Sequence, residues 1–266
     1  MNIKIAALQL QTLPMSEAKL DYYVRICAKN SINLIVLGEY VLNSFFKELE
    51  NFTYSKIKEQ SNHKLIMLKK LAKTYNITIV APIILCKKNA LYKVTARVTP
   101  SATFFYEQKF LINYKHWNEE KFFANNSEDM RVPIFEHEGI RIGIICGFDA
   151  HFDILWQQTI KRKADVVLVP SVSTFESFDR WNELLKTRAF LNNVYILRIN
   201  RIGDFKDKVY SWYFYGSSAL YSPNGAVEAY LGDNEEMLLC EIDSNAVKEA
   251  IKTWGFRKQL IRKKVL

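Results

Sequence analysis

Residues 141–152 read RIGIICGFDAHF and predict a buried strand that ends on a reactive group. The apolar run stops at Cys146, and Gly147, Asp149 and His151 follow within five positions. Proteins with parallel strands commonly place ligand-binding and reactive groups where those strands end. A cysteine after an apolar run is also often a buried, inert thiol. Two interpretations of Cys146 are therefore open, a catalytic thiolate and a structural cysteine.

The rest of the chain alternates strand patterns with helical patterns. Fully apolar strands such as VVLVP (166–170) indicate burial on both faces, whereas LYKVTARV (91–98) alternates and indicates one polar face. This second strand and SATFFYEQ (101–108) are joined by Thr99-Pro100 and predict a hairpin. The fold class is therefore α/β or α+β. We find no linker, repeat or low-complexity segment, so we predict a single domain over residues 1–266.

Composition excludes several classes of protein. The chain has 266 residues, 49% of them hydrophobic, which is enough to form a large core. The four cysteines form no C-x-x-C pair, so a zinc ribbon is not expected. We expect the cysteines to be reduced thiols and the protein to be cytoplasmic. The fragment EHE (136–138) lacks partner ligands, and we predict no metal and no cofactor.

Charge and hydropathy argue against nucleic-acid and membrane partners. The longest apolar run, residues 77–86, has half the roughly 20 residues that a membrane span needs. The N-terminus lacks the pattern of a signal peptide. The net charge is +9, and RKQLIRKK (257–264) contributes five cations. No nucleic-acid motif accompanies this stretch, so we interpret it as a solvated basic tail.

Three predicted strand ends carry residues suited to acyl transfer. Glu39 follows LIVLG, Lys109 follows FFYEQ, and Cys146 ends IGIIC. A carboxylate can take the proton of a thiol, and an ammonium can stabilise the oxygen that becomes negative when a carbonyl or nitrile carbon is attacked. A glutamate directly after a buried strand is hard to explain as structure, because buried glutamates are rare unless paired.

On these stretches the sequence resembles the nitrilase, or carbon–nitrogen hydrolase, family. The resemblance runs nearly the whole length and rests on the order of eight segments. These are IAALQLQT (5–12), NLIVLGEY (33–40), YEQKFLINYKHWNEEKFF (106–123), IRIGIICGFDAHFD (140–153), ADVVLVPS (164–171), RWNELLKTRAFLNNVYILRINRIG (180–203), YGSSALYSPNG (215–225) and LLCEID (238–243).

The resemblance implies a four-layer α-β-β-α sandwich and a hydrolase of non-peptide C–N bonds acting through a cysteine thioester. It implies Glu39 as general base, Lys109 as the oxyanion-stabilising cation and Cys146 as the nucleophile. Glu120 would orient the lysine or the substrate; its neighbour Glu119 is the alternative, and either residue alone is ordinarily a surface charge. The substrate would be a small amide, carbamoyl or nitrile compound, and the protein a homodimer or higher homo-oligomer.

Two spacings depart from the family pattern. Counted from Asp149, the usual nucleophile position holds Gly147, and Cys146 comes one residue early. Counted from Tyr106, the usual lysine position holds Gln108, and Lys109 is one residue late. A one-residue slip turns a strand side chain to the opposite face. Either a bulge restores the aim of Cys146, or the protein binds or assembles without catalysis. Asp149 and His151 are candidate substrate contacts; the alternatives are a helix cap and a structural histidine.

Overall fold

Two six-stranded mixed sheets form the centre of the protein in a computed structural model, which describes residues 1–263. The first sheet has the order β16-β1-β2-β3-β4-β5, with strands Glu236–Asp243, Asn2–Gln9, Leu34–Leu37, Thr78–Lys87, Ala90–Val98 and Thr103–Glu107. The second has the order β15-β14-β11-β10-β9-β8, with strands Val227–Tyr230, Ala219–Tyr221, Tyr195–Asn200, Val166–Ser171, Ile140–Ile144 and Ile134–His137. In each sheet three central strands run parallel, and antiparallel strands complete both sides.

Helices cover the outer face of each sheet, and apolar side chains of both sheets meet between them. The predicted four-layer α-β-β-α sandwich is therefore confirmed. The helices are α1 Ala18–Lys29, α2 Phe46–Leu49, α3 Tyr54–Tyr75, α4 Asp153–Lys161, α5 Phe178–Asn192, α6 Ser244–Trp254 and α7 Phe256–Arg262, and a 3₁₀ helix spans Gly147–His151. Two small ribbons, β6–β7 (Asn113–Tyr114, Trp117–Asn118) and β12–β13 (Ile202–Lys206, Ser211–Tyr215), complete the fold.

Strand alternation decides which side chains reach the space between the sheets. In β4, Val94 and Ala96 pack on the helix side, so Lys93 and Thr95 point toward the second sheet. In β9, Ile142 and Ile144 face inward while the following Ile145 packs on the helix side. Polar residues at the ends of these inward rows are therefore brought together between the two sheets.

The basic tail differs from the prediction at its first residue. Arg257 is buried and donates hydrogen bonds to the carbonyl oxygens of Asn192, Ala164 and Asn193 at 2.7, 2.8 and 3.1 Å. It fixes α7 to the end of α5 and to the segment before β10, so its role is structural. The end of the predicted tail, Lys264, lies outside the described residues.

Among residues 1–263, no helix combines the length and the apolar character needed to cross a membrane. The cytoplasmic location, the homo-oligomer, the absence of nucleic-acid partners and the single domain over 1–266 stay predictions.

The core between the sheets gives a direct test of the packing. Replacing Ile142, fully buried between the sheets, by alanine should lower the free energy of unfolding by about 2–5 kcal/mol, because it leaves a cavity that the rigid sheets cannot close. The control is Ile66→Ala on α3, where the isoleucine is 67% exposed and the change should stay within about 0.5 kcal/mol. Urea unfolding measures both, and equal losses would contradict the assigned packing.

Candidate active site

A buried lysine between two buried glutamates forms the polar centre of the protein. The Nζ atom of Lys93 lies 2.6 Å from Oε1 of Glu39 and 2.6 Å from Oε1 of Glu119. All three residues are at most 4% exposed. The Tyr40 hydroxyl donates to the same Glu119 oxygen, and the Tyr40 ring lies 4.9 Å from Nζ. We call Glu39, Lys93 and Glu119 the ion triad.

The backbone holds each member of the ion triad in place. Glu39 follows β2, donates its N–H to the Ser171 carbonyl at the end of β10, and accepts at Oε2 from the Val172 N–H at 2.9 Å. Glu119 follows β7 and donates its N–H to the Ile112 carbonyl at 2.6 Å. Glu39 thus bridges the two sheets, and Lys93 reaches it from the inward face of β4.

Burial and charge act together on these groups. Burial alone would lower the pKa of Lys93, but the charges of Glu119 and Glu39 outweigh it and raise the pKa, so the ammonium keeps its proton. Burial raises the pKa of Glu39, and the charge of Glu119 adds to that rise against the opposing effect of Lys93. Glu39 is therefore a stronger base than an exposed carboxylate, which suits a general base.

The structure places Lys93 and Glu119, and not the predicted Lys109 and Glu120, in the ion triad with Glu39. Lys109 is half-buried, and its Nζ donates to the Ser127 hydroxyl at 3.3 Å, away from the ion triad. Glu120 is exposed to solvent. The sequence contains one feature that could have pointed to Lys93. Counting outward from the turn of the β4–β5 hairpin pairs Lys93 with Gln108, which holds the usual lysine position.

Cys146 lines a small void between the sheets and not the main cavity. The β8–β9 pairing runs without a register shift as far as Gly143, and Ile142 and Ile144 face inward, so alternation directs Cys146 inward as well. The thiol is 5% exposed and lines a void of about 20 Å³ beside Thr95. Burial, and secondarily the charge of Glu39, raises its pKa well above the ordinary value, although Lys93 opposes this.

Gly147 occupies the nominal nucleophile position in a conformation that favours glycine. Its φ is +49°, and a Cβ built there would lie 2.3 Å from Oε2 of Glu39. The Glu39 carboxylate therefore fills the space in which a side chain at position 147 would begin.

Asp149 and His151 have separate positions. Asp149 lines the small void and accepts hydrogen bonds from the backbone N–H groups of Lys109, at 3.1 and 3.2 Å, and Phe110, at 2.7 Å. It ties the end of β5 to the 3₁₀ helix after β9. Burial raises its pKa to about 7 despite these bonds. His151 lines the main cavity and places Nδ1 3.0 Å from the Phe148 carbonyl, so Nδ1 is the protonated nitrogen.

The main cavity measures about 650 Å³, within the range of small-molecule sites. Glu39 and Lys93 lie in its wall, together with Val172, Ser173, Arg180 and the aromatic residues Tyr114, Trp117, Phe148, Phe175 and Trp181. Within residues 1–263, no group of three or more His, Cys, Asp or Glu side chains is arranged to hold a metal ion. The cavity offers a base, a cation and flat apolar walls for a small polar compound.

The raised pKa of Asp149 predicts that the free energy of unfolding decreases as pH rises. Its folded pKa of about 7 lies above the unfolded value of 3.8, so its stabilising contribution is full below pH 3.8 and is lost as pH rises through 7. Relative to Asp149→Asn, the wild-type free energy of unfolding should fall by up to about 1.4 kcal/mol per pH unit between pH 4 and 7. Urea unfolding across this range measures the difference.

The control for this titration is Asp204→Asn, an exposed carboxyl on β12. This variant should follow the wild-type pH dependence. A wild-type curve parallel to that of Asp149→Asn would contradict the raised pKa.

Comparisons with known proteins agree with this architecture. A solved carbon–nitrogen hydrolase from Helicobacter pylori G27 superposes with a TM-score of 0.86 at 19% identity, covering 97% of this chain and 95% of that one. An N-carbamoylputrescine amidase of Solanum lycopersicum is 23% identical over 274 residues, 95% of this chain and 90% of that protein. A 2-oxoglutaramate amidase of Bacillus subtilis (strain 168) is 27% identical over 199 residues, 73% of this chain and 74% of that protein. The carbon–nitrogen hydrolase family model matches residues 4–252. The chain therefore belongs to the carbon–nitrogen hydrolase family.

Proposed function

We propose that the protein hydrolyses the C–N bond of a small amide or carbamoyl compound in the main cavity. The observation that carries this proposal is the ion triad, with Glu39 and Lys93 in the cavity wall. Buried charges cost several kcal/mol each in desolvation, and apolar residues would fill the same space at less expense in stability. A base and a cation kept side by side at a cavity are suited to acyl transfer.

In the first half of the reaction, Sγ of Cys146 attacks the carbonyl carbon and Glu39 takes the thiol proton. Lys93 stabilises the negative oxygen of the tetrahedral intermediate. The C–N bond then breaks, Glu39 returns the proton to the leaving nitrogen, and ammonia or an amine departs. The acyl group remains on the sulfur as a thioester.

In the second half, water attacks the thioester carbon and Glu39 takes a proton from it. The C–S bond breaks, the acid leaves, and the thiol of Cys146 regains its proton. Glu119 keeps Lys93 beside Glu39 through its 2.6 Å contact with Nζ. The same base thus serves both halves, as its raised pKa allows.

The charges of Glu39 and Lys93 already act on the Cys146 thiol, but the thiol lines the small void and not the main cavity. The proposed chemistry therefore requires a local movement that brings the thiol and the substrate together. Gly147, at φ +49°, supplies backbone freedom next to Cys146. The amidase relatives, whose names specify an N-carbamoyl compound and an amide of 2-oxoglutarate, support an amide or carbamoyl group as the reacting bond.

A second candidate function is binding of the same class of compound without turnover. It is favoured by the position of Cys146 in the small void and by Gly147, where the Glu39 carboxylate takes the place of a nucleophile's side chain. In this case the ion triad and the cavity recognise a ligand, and no acyl-enzyme forms.

Ammonia release from a panel of small primary amides and N-carbamoyl compounds separates these candidates. We expect Cys146→Ala and Glu39→Gln to lower kcat/KM by at least 10³-fold, because they remove the nucleophile and the base. The matched control is Cys240→Ala, a similarly buried cysteine that packs in the apolar core and lines neither the main cavity nor the small void. This variant should stay within about threefold of the wild type. Intact-mass spectrometry of the reacting protein should detect an acyl adduct on Cys146.

The other outcomes are decisive too. If Cys146→Ala still turned over the substrate and Glu39→Gln did not, a thioester intermediate would be excluded. Water would then be the nucleophile. Saturable binding without ammonia release from any compound would favour the second candidate.

A further inference from the structure

Arg198 is a buried cation that the proposed reaction does not use. It lies on β11 with no solvent exposure, and its guanidinium carbon lies 4.9 Å from the Trp181 ring and 5.6 Å from the Tyr215 ring. Among the ion pairs of residues 1–263, none includes Arg198, and its Nη1 is buried without a hydrogen-bond partner. A buried charge without an opposite charge destabilises a protein unless a ligand compensates it.

Three hydroxyl groups accept hydrogen bonds from this guanidinium. Nε donates to Ser171 Oγ at 3.3 Å, and Nη2 donates to Ser173 Oγ at 2.8 Å and to the Tyr215 hydroxyl at 3.3 Å. Each hydroxyl that accepts from the arginine must aim its own proton at another acceptor. The acceptors of these three protons therefore show which hydroxyl is available to a ligand.

Two of the three protons end on protein atoms. Ser171 donates to the Ile199 carbonyl at 3.3 Å. Ser177 donates to the Thr174 carbonyl at 2.6 Å, so the Tyr215 hydroxyl, 3.0 Å from Ser177 Oγ, donates to Ser177. Neither of these two hydroxyl protons is therefore available to a ligand.

The third proton is directed into the main cavity. Ser173 lines that cavity, and its only hydrogen bond within residues 1–263 is the one it accepts from Arg198. Its O–H is therefore free to donate to a ligand, and the arginine behind it strengthens the donor. The neighbouring residue Val172 binds the Glu39 carboxylate, so this donor lies close to the proposed reacting centre.

We propose that Ser173, backed by Arg198, binds a carboxylate of the substrate, which is thus a short acid that carries an amide or carbamoyl group. The inference rests on the proposed function for the reacting end of that compound. The carboxylate supplies the opposite charge that Arg198 lacks, and Arg180 in the same cavity wall adds a second cation. A neutral compound of the same shape leaves the buried arginine uncompensated.

Calorimetric titration with matched compounds tests the carboxylate directly. The probes are malonamate, succinamate and glutaramate, each compared with its neutral diamide of the same length. We expect at least one acid to bind tenfold or more tightly than its diamide. Binding is measured apart from ammonia release, so the two proposals fail independently. Hydrolysis without preference for an acid would overturn this inference alone, and acid-selective binding without hydrolysis would count against the proposed function alone.

Two variants locate the contact, and a third serves as control. Ser173→Ala should weaken binding of the preferred acid about tenfold, and Arg198→Gln should abolish its advantage over the diamide. Ser171→Ala removes a hydroxyl that contacts the same guanidinium but lies outside the cavity lining, and binding should change less than twofold. No preference for any acid, or equal losses in the two serine variants, would overturn the inference.

Discussion

The buried contact of Lys93 with Glu39 and Glu119 is the interaction on which the site depends. Two carboxylates brought together between apolar sheets would repel each other and lose their hydration, and one ammonium 2.6 Å from both holds them in place. The charges of the two carboxylates keep the lysine protonated, and burial raises the pKa of Glu39 although the charge of Lys93 opposes that rise. The two sheets cannot separate at this point without exposing all three charges.

That contact determines which charged groups line the main cavity. Glu39 accepts a hydrogen bond from the Val172 N–H and fills the space beside Gly147, whereas Cys146 lies between the end of β9 and Gly147. The base and the cation face the cavity, and the thiol faces the small void. In the same wall, Ser173 accepts a hydrogen bond from Arg198, and its own O–H is available to a ligand in the main cavity. A compact substrate can therefore meet both charged regions at once.

Local strand and helix patterns predicted the α/β or α+β class, and the glutamate after LIVLG predicted Glu39 at a strand end. The four layers were implied by the family resemblance. The sequence did not single out Lys93 as the lysine beside Glu39. Lys93 lies in β4 and Lys109 lies just after the paired strand β5, and only the pairing across strands and the alternation of faces distinguish them. Glu119 and Glu120 are adjacent, and burial of one depends on how the loop closes on Ile112. The burial of Arg198 without an ion pair among residues 1–263 is likewise a result of packing.

The free energy of unfolding of Lys93→Gln, compared with that of Lys109→Gln by urea titration at pH 7, tests the central claim most directly. We predict a loss of about 3–5 kcal/mol for Lys93→Gln, because two buried carboxylates lose their counter-ion. Lys109 is half-buried, and within residues 1–263 its ammonium donates a hydrogen bond only to the Ser127 hydroxyl. For Lys109→Gln we therefore predict a loss within about 0.5 kcal/mol. Equal losses, or a larger loss for Lys109→Gln, would contradict the ion triad as the centre of this structure.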